Sequence, residues 1–497
     1  MMEETRKNAF RKERGDWQTT PELAQSVCRL VRQFIDPDAI LEPNCGQGAF
    51  VLAAAKAFPN AKRIWAGDVN SQYVQNVKKI NDSRIVVQKA NFFFGRWKQV
   101  LNSQSGSVLI IGNPPWVTNS ELARLNSGNV PRKENAENLA GIDALTGKSN
   151  FDVSEWMMVE EVKALQGRCG VLAMLCKTSV ARKVLRFIWK NALTYASASI
   201  YKIDAKRFFD VSAAACLLLI QFQPETDALL VPCPVYDALE SDQPSQTVAL
   251  RNGTLVNDAA FTDSFPELFQ PDVTQPLWRS GVKHDCSKVL ELTRIDDNVY
   301  LNKLGENVEI EPLCVYPLLK SSDVAVGRTE QIRRFLLVPQ TRVGQSVERL
   351  QHDVPLTWTY LQNHFDYFQN RKSAVYNKQT PFSIFGIGDY AFTPWKAAIS
   401  GLYRTLAFQV VKPQEGRPVV FDDTCYFLPC QTKRQAQLIK RILDSPIAVS
   451  ALNALIFWDS KRPIKSEALN RLNLLELAKR LGLGKEYQSA FRLKDRD

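Results

Sequence analysis

Seven short runs rich in Val, Ile, Leu and Ala punctuate residues 21–222, and the stretches between them carry helical periodicity. The runs fall at 39–42, 63–67, 84–88, 108–111, 170–175, 198–203 and 213–222. Strands so apolar must be covered on both faces, which restricts this region to an α/β layout with a largely parallel sheet. Residues 21–34 read as its first helix, with Pro21 in the first turn and Thr20 as the cap. Residues 119–149 interrupt the rhythm with a polar, Asn- and Gly-rich stretch, long enough for a functional loop.

Past residue 223 the texture changes. The segment QPETDALLVPCPVYDALESDQPSQ has the Pro and acid content of a linker. The expected organisation is therefore a first domain over 1–230, a linker over 231–250 and a separate, aromatic-rich α+β domain over 251–497.

Charge and residue counts narrow the chemistry. With 63 Lys and Arg against 52 Asp and Glu the net charge is +11, which favours a polyanionic partner through attraction and counterion release. The ten cysteines form no CxxC pair, so a zinc ribbon or a disulfide framework is not expected, and a reducing cytoplasm suits the chain. His284, His352 and His364 all lie in the second half, which excludes a His-dependent hydrolase or a His-rich metal centre in the first. The N-terminal MMEETRKNAFRKERGD has no apolar core, and no run of about 18 apolar residues occurs, so neither export nor a membrane is indicated.

The fourth run ends in Asn113-Pro114-Pro115-Trp116. An exocyclic amine is a poor nucleophile because its lone pair is delocalised into the ring. The Asn113 side-chain oxygen and the Pro114 carbonyl could each accept one N–H and localise that pair. Two consecutive prolines fix φ near about −65° and hold the acceptors still, while Trp116 offers a flat face for a base. Methyl transfer to an amine is the chemistry such a clamp serves. A plain turn after a buried strand would share these four letters.

Earlier strand ends carry a second constellation. After the first run, Glu42-Pro43-Asn44-Cys45-Gly46-Gln47-Gly48 leads into a helix, and its glycines allow a tight turn close to a ligand. The spacing is not GxGxxG and no Walker lysine follows, which disfavours a dinucleotide or triphosphate. Asp68 ends the second run, placed to accept both hydroxyls of a ribose. Asn91 and Phe92 follow the third and could take the edge and face of an adenine; Phe93 and Phe94 read as buried. Upstream, Trp17-Gln18-Thr19-Thr20-Pro21 offers hydroxyls and amides at a helix start, an anchor for a carboxylate.

In this order QTTPE, EPNCGQGAF, AGDVN, KANFFF, IGNPPW, NFDVSEWMM, GVLAMLCKTSVARKVL and KRFFDVSAAACLLL resemble the gamma-class, TaqI-like N6-adenine DNA methyltransferases over roughly residues 14–223. The resemblance implies a Rossmann-like methyltransferase domain with a seven-stranded, mostly parallel sheet, S-adenosylmethionine as cofactor, double-stranded DNA as partner and no metal. It implies that Thr20 and Pro21 contact the methionine moiety, that Glu42 lies near its amino group and that Pro43, Cys45, Gly46 and Gly48 form the turn beneath it. Asp68 would hold the ribose, Asn91 and Phe92 the adenine, and Asp152 would lie close to the cofactor. Asn113, Pro114, Pro115 and Trp116 would be catalytic, with Trp116 and either Phe209 or Phe208 packing on an extruded base. Position 91 is usually Asp and the lid usually Tyr in that family; here they are Asn91 and Trp116.

YPLLKSSD at 316–323 and FSIFGIGDY at 382–390 resemble a TaqI-like target-recognition domain more weakly, with Arg371, Lys372, Lys378, Lys396 and Arg404 expected on phosphates. A separate restriction endonuclease or defence subunit is the further partner implied. Transfer to N4 of cytosine, and a non-catalytic DNA-binding subunit that keeps the fold, are the competing readings.

Overall fold

The computed structural model describes residues 17–117, 152–224, 231–296, 299–330, 332–377 and 379–491. The chain divides into two compact units, 1–259 and 260–497.

The first unit is built on a ten-stranded sheet in the order β10-β9-β8-β6-β7-β5-β4-β1-β2-β3. The strands are β1 Ala39–Glu42, β2 Arg63–Asp68, β3 Ile85–Lys89, β4 Val108–Gly112, β5 Gly170–Lys177, β6 Ser197–Ile203, β7 Ala215–Phe222, β8 Cys233–Tyr236, β9 Gln246–Arg251 and β10 Thr254–Val256. Each of the seven apolar runs is a strand. The helices around them are α1 Pro21–Val31, α2 Ala49–Ala57, α3 Ser71–Val77, α4 Arg96–Asn102, α5 Val153–Leu165, α6 Thr178–Lys190 and α7 Ala205–Phe209.

Strands β3, β2, β1, β4 and β5 run parallel, while β7 is antiparallel to both of its neighbours, β5 and β6. From β1 the chain steps outward through β2 to β3, then returns to β4 on the other side of β1. The direction of winding reverses between β1 and β4, and in sheets of this kind the crevice at their carboxyl ends is where ligands bind. Glu42 ends β1 and Asn113 follows β4, so both stand at that reversal.

Two expectations are corrected. The sheet has ten strands rather than seven, and 231–250 is not a linker, because β8 and most of β9 lie within it. Its Pro-rich composition conceals an alternation in which Cys233 and Val235 are buried while Pro234 and Tyr236 are half-buried. Tyr236 stacks on Tyr201 at 4.6 Å, and β8 pairs with β6, which would otherwise be an open sheet edge.

The second unit mixes helices with two mainly antiparallel sheets. One has four strands, Arg279–Ser280, Cys425–Cys430, Trp395–Ser400 and Gln409–Val411 in spatial order. The other has six, Asn307–Glu309, Val299–Asn302, Glu291–Asp296, Arg334–Leu337, Val315–Leu319 and Val420–Phe421. No helix among the described residues is long and apolar enough to cross a membrane.

Candidate active site

A cavity of about 250 Å³ opens at the carboxyl ends of β1, β2 and β4, lined among others by Glu42, Cys45, Gly46, Asp68 and Asn113. Gly46 has φ +48 and Gly48 φ +86, the left-handed region where a side chain is strained. A Cβ on Gly48 would stand 2.7 Å from Val77 Cγ2, so this turn tolerates little but hydrogen. The turn is held from below by Asp68, whose Oδ2 accepts the Gly46 N–H at 2.9 Å and whose Oδ1 accepts the Asn70 N–H at 2.7 Å.

Glu42 is buried, and its Oε2 has no hydrogen-bond partner among the described residues. Burial first, and the nearby charge of Asp68 second, hold its carboxyl well above the ordinary range, against a backbone hydrogen bond from Val51. Burial and the same carboxylates push the Cys45 thiol up as well. Two carboxylates facing one small space favour a cation there, since a positive group would relieve both the desolvation and the repulsion.

Asn113 lines the same cavity, after the strand next to that of Glu42. Its Nδ2 donates to the Trp17 carbonyl at 2.7 Å and to Thr19 Oγ1 at 3.3 Å, whereas its Oδ1 is buried without a partner among the described residues. The amide has thus spent its donor side and kept its acceptor side. Pro115 lines the cavity beside it, and Pro114 does not.

Trp116 lies deeper than the sequence reading placed it. The indole is buried, donates through Nε1 to the Leu175 carbonyl at 3.4 Å, and meets Phe209 edge to face at 5.1 Å. Phe208 instead packs under the Arg207 guanidinium, so of the two phenylalanines it is Phe209 that contacts the lid. The Trp116 carbonyl accepts from Lys177 Nζ at 3.1 Å, and the same ammonium pairs with Asp152 Oδ2 at 2.6 Å. The Val153 N–H donates to the Val117 carbonyl at 2.8 Å. These bonds pin the chain where it leaves after β4 to the place where it re-enters α5.

Several expected ligand residues are displaced by one or two positions. Thr20 spends its hydroxyl capping α1, on the Leu23 N–H at 3.3 Å, and Pro21 is exposed; Trp17, Gln18 and Thr19 line the cavity instead. Asp152 caps α5 and pairs with Lys177, leaving Val153 and Met157 as the lining residues of that helix. Asn91 Oδ1 accepts the Phe93 N–H at 2.9 Å and so closes the 3₁₀ turn Phe92–Phe94; Phe92 and Phe93 face the cavity, and Phe94 is 81% exposed. Pro43 and Gly48 shape the turn without lining the cavity. Tyr73 and Asn70 line it and were not foreseen, since nothing in the pattern of α3 distinguishes them from surface residues.

No protein-family model matches the sequence. Over 472 residues, covering 94% of this chain and 97% of the relative, the chain is 40% identical to the Type II methyltransferase M.NspV of Nostoc sp. (strain ATCC 29411 / PCC 7524). The chain belongs to the Type II methyltransferases. Among solved structures, this methyltransferase is similar to the Type IIL restriction-modification enzyme MmeI in complex with DNA, at 12% identity and TM-score 0.48, over 96% of this chain and 73% of that one. It is also similar to the type I restriction-modification methyltransferase subunit from Streptococcus thermophilus, at 11% identity and TM-score 0.31, over 44% and 47% of the two chains.

In the second unit of the methyltransferase, two of the expected phosphate contacts are corrected. Lys396 is buried, with Nζ donating to the Thr393 carbonyl at 2.5 Å, and burial pushes its ammonium down to about 7. Arg371 donates to the carbonyls of Phe368, Pro381 and Ser383, at 3.0, 2.9 and 2.6 Å, and covers the Tyr376 ring at 3.6 Å. Both cations are committed to their own domain. Lys372 and Arg404 are exposed, and Lys378 lies outside the described residues.

Proposed function

We propose that this methyltransferase transfers a methyl group from S-adenosylmethionine to N6 of an adenine rotated out of duplex DNA, as the modification enzyme of a restriction-modification system. The gamma-class, TaqI-like arrangement is part of this reading. The observation that carries it is the Asn113 amide, whose Oδ1 has no partner among the described residues and lies beside a cavity that Glu42 and Asp68 also line.

The donor set suits this cofactor. Glu42 would take the amino group of its methionine part, Asp68 the ribose hydroxyls, and Phe92 and Phe93 the adenine, while the glycine turn leaves room for close approach. When bound, the cofactor supplies a sulfonium methyl that is already activated. What remains for the protein is alignment and polarisation of the amine. Asn113 Oδ1 would accept one N–H of the exocyclic amine, and the Pro114 carbonyl, although it does not line the cavity here, would take the other once a base is seated, localising the nitrogen lone pair.

Extruding a base costs a few kcal/mol, offset by stacking and edge contacts in the pocket. Trp116 would provide that stacking once base entry draws the indole away from its burial against Phe209. Exposed Lys372 and Arg404 would position phosphates, and the second unit would choose the sequence.

The test is transfer of labelled methyl from S-adenosylmethionine to unmodified DNA, with the modified base identified by nuclease digestion and mass spectrometry. N6-methyladenine is the expected product. N4-methylcytosine would move the assignment to the competing amine, and no labelled base would end it.

A further inference from the structure

The segment Trp17-Gln18-Thr19 touches both sides of the cavity. On the cofactor side, Gln18 Oε1 accepts the Gln47 N–H of the glycine turn at 2.9 Å. On the acceptor side, the Trp17 carbonyl and the Thr19 hydroxyl both accept from Asn113 Nδ2, at 2.7 and 3.3 Å. An asparagine amide can turn over by 180° with little change of shape, so its orientation is set by its partners. Here two acceptors converge on one nitrogen. In the reversed orientation Oδ1 would face the Trp17 carbonyl, oxygen against oxygen, and the NH₂ would take the acceptor's place beside the cavity. A donor there would meet the donors of the incoming amine and could polarise nothing.

We infer that Thr19 is a positioning residue for methyl transfer: together with the Trp17 carbonyl it locks the Asn113 amide so that its oxygen, not its nitrogen, meets the acceptor amine. The inference rests on the role given to Asn113 above and deepens it. Gln18, which grips the glycine turn, stands between the two residues of the clamp, so one short segment ties that turn to Asn113.

The experiment is single-turnover methyl transfer with the full chain and unmodified DNA, alongside calorimetric binding of S-adenosylmethionine. Thr19→Val keeps the shape and removes the acceptor. It is expected to slow transfer about tenfold, the equivalent of one hydrogen bond, with the cofactor Kd changed less than about twofold. Thr19→Ser, which keeps the hydroxyl, is expected to restore the rate to within about twofold.

The deciding readout is a double-mutant cycle with Asn113→Ala. If Thr19 works through Asn113, Thr19→Val costs nothing more in the Asn113→Ala background. Equal losses in both backgrounds overturn the inference, as does a wild-type rate for Thr19→Val beside an impaired Asn113→Ala. A wild-type rate for Asn113→Ala overturns the role of Asn113 itself and is distinguishable from either.

Discussion

Asn113 in the first unit and Lys396 in the second are polar groups set among buried neighbours, and they use their hydrogen-bonding capacity in opposite ways. The donor end of the Asn113 amide is occupied, while its acceptor end is buried beside a cavity with no partner among the described residues. Lys396 turns its ammonium inward onto the Thr393 carbonyl, in surroundings that favour the neutral amine. Arg371 is consumed in the same manner by the carbonyls of Phe368, Pro381, Ser383 and His284 and by two rings. Residue type says what a side chain can do; its neighbours decide which end, if any, is left over. An unpaired group in a site is costly, and its persistence is a better sign of chemistry than the presence of charge.

The sharpest way to break this contrast is Asn113→Ala. Turnover is expected to fall by roughly 10²–10³-fold, the usual size for one preorganised polar contact at a reacting centre, while calorimetry shows cofactor binding retained. Normal turnover would place Asn113 with Lys396 among residues that merely satisfy their surroundings.

Glu42→Gln comes next. Loss of the carboxylate should weaken S-adenosylmethionine binding about tenfold, as for removal of a charge-assisted hydrogen bond, with a smaller effect on the rate at saturation. The pH dependence has a definite sign. Because the folded chain raises the Glu42 pKa well above 4.5, the proton is held more tightly folded than unfolded. The stabilisation it contributes is full below about 4.5 and is lost as pH rises toward the folded value. Thermal melts across pH 4–9 should therefore show a smaller alkaline loss in Glu42→Gln than in the parent.

A smaller effect is expected at the exposed surface. Lys372→Ala should weaken DNA binding a few-fold and reduce the salt slope of binding by about one. Lys396→Met should leave both unchanged, and that pair of measurements separates a cation available to phosphate from one that is not. Lys396 carries its own pH signature. Its pKa is lowered from 10.5 to about 7, so its penalty is absent above 10.5 and grows as pH falls toward 7. Lys396→Met should raise the thermal midpoint at pH 7 by about 2–4 °C for each kcal/mol relieved and flatten that slope.

The parts of the molecule legible in the sequence are those written in backbone chemistry. Apolar runs with their breaks located all seven central strands, and the residues just after β1, β2 and β4 had to share one edge once the sheet was parallel. Side-chain direction was less legible. Thr19 and Thr20 are adjacent hydroxyls, and only the helix start decides that Thr20 caps while Thr19 reaches Asn113. The strand at Cys233–Tyr236 was hidden because a proline sits inside it, and its need arises from the open edge of β6, a property of the assembled sheet. Lys396 and Arg371 show the same limit for charge: a basic residue in a list gives no sign that a carbonyl lies within reach.

The closure at Val117 and Asp152 has a consequence for how this architecture can vary. With the Val153 amide on the Val117 carbonyl and Lys177 clasping both Trp116 and Asp152, exit and return are fastened together like the neck of a purse. Lengthening what hangs from a sealed neck adds only about 0.6 kcal/mol of closure entropy per doubling. Change of size at this point is therefore nearly free to the sheet framework, which makes it the natural berth for evolutionary insertions beside Asn113.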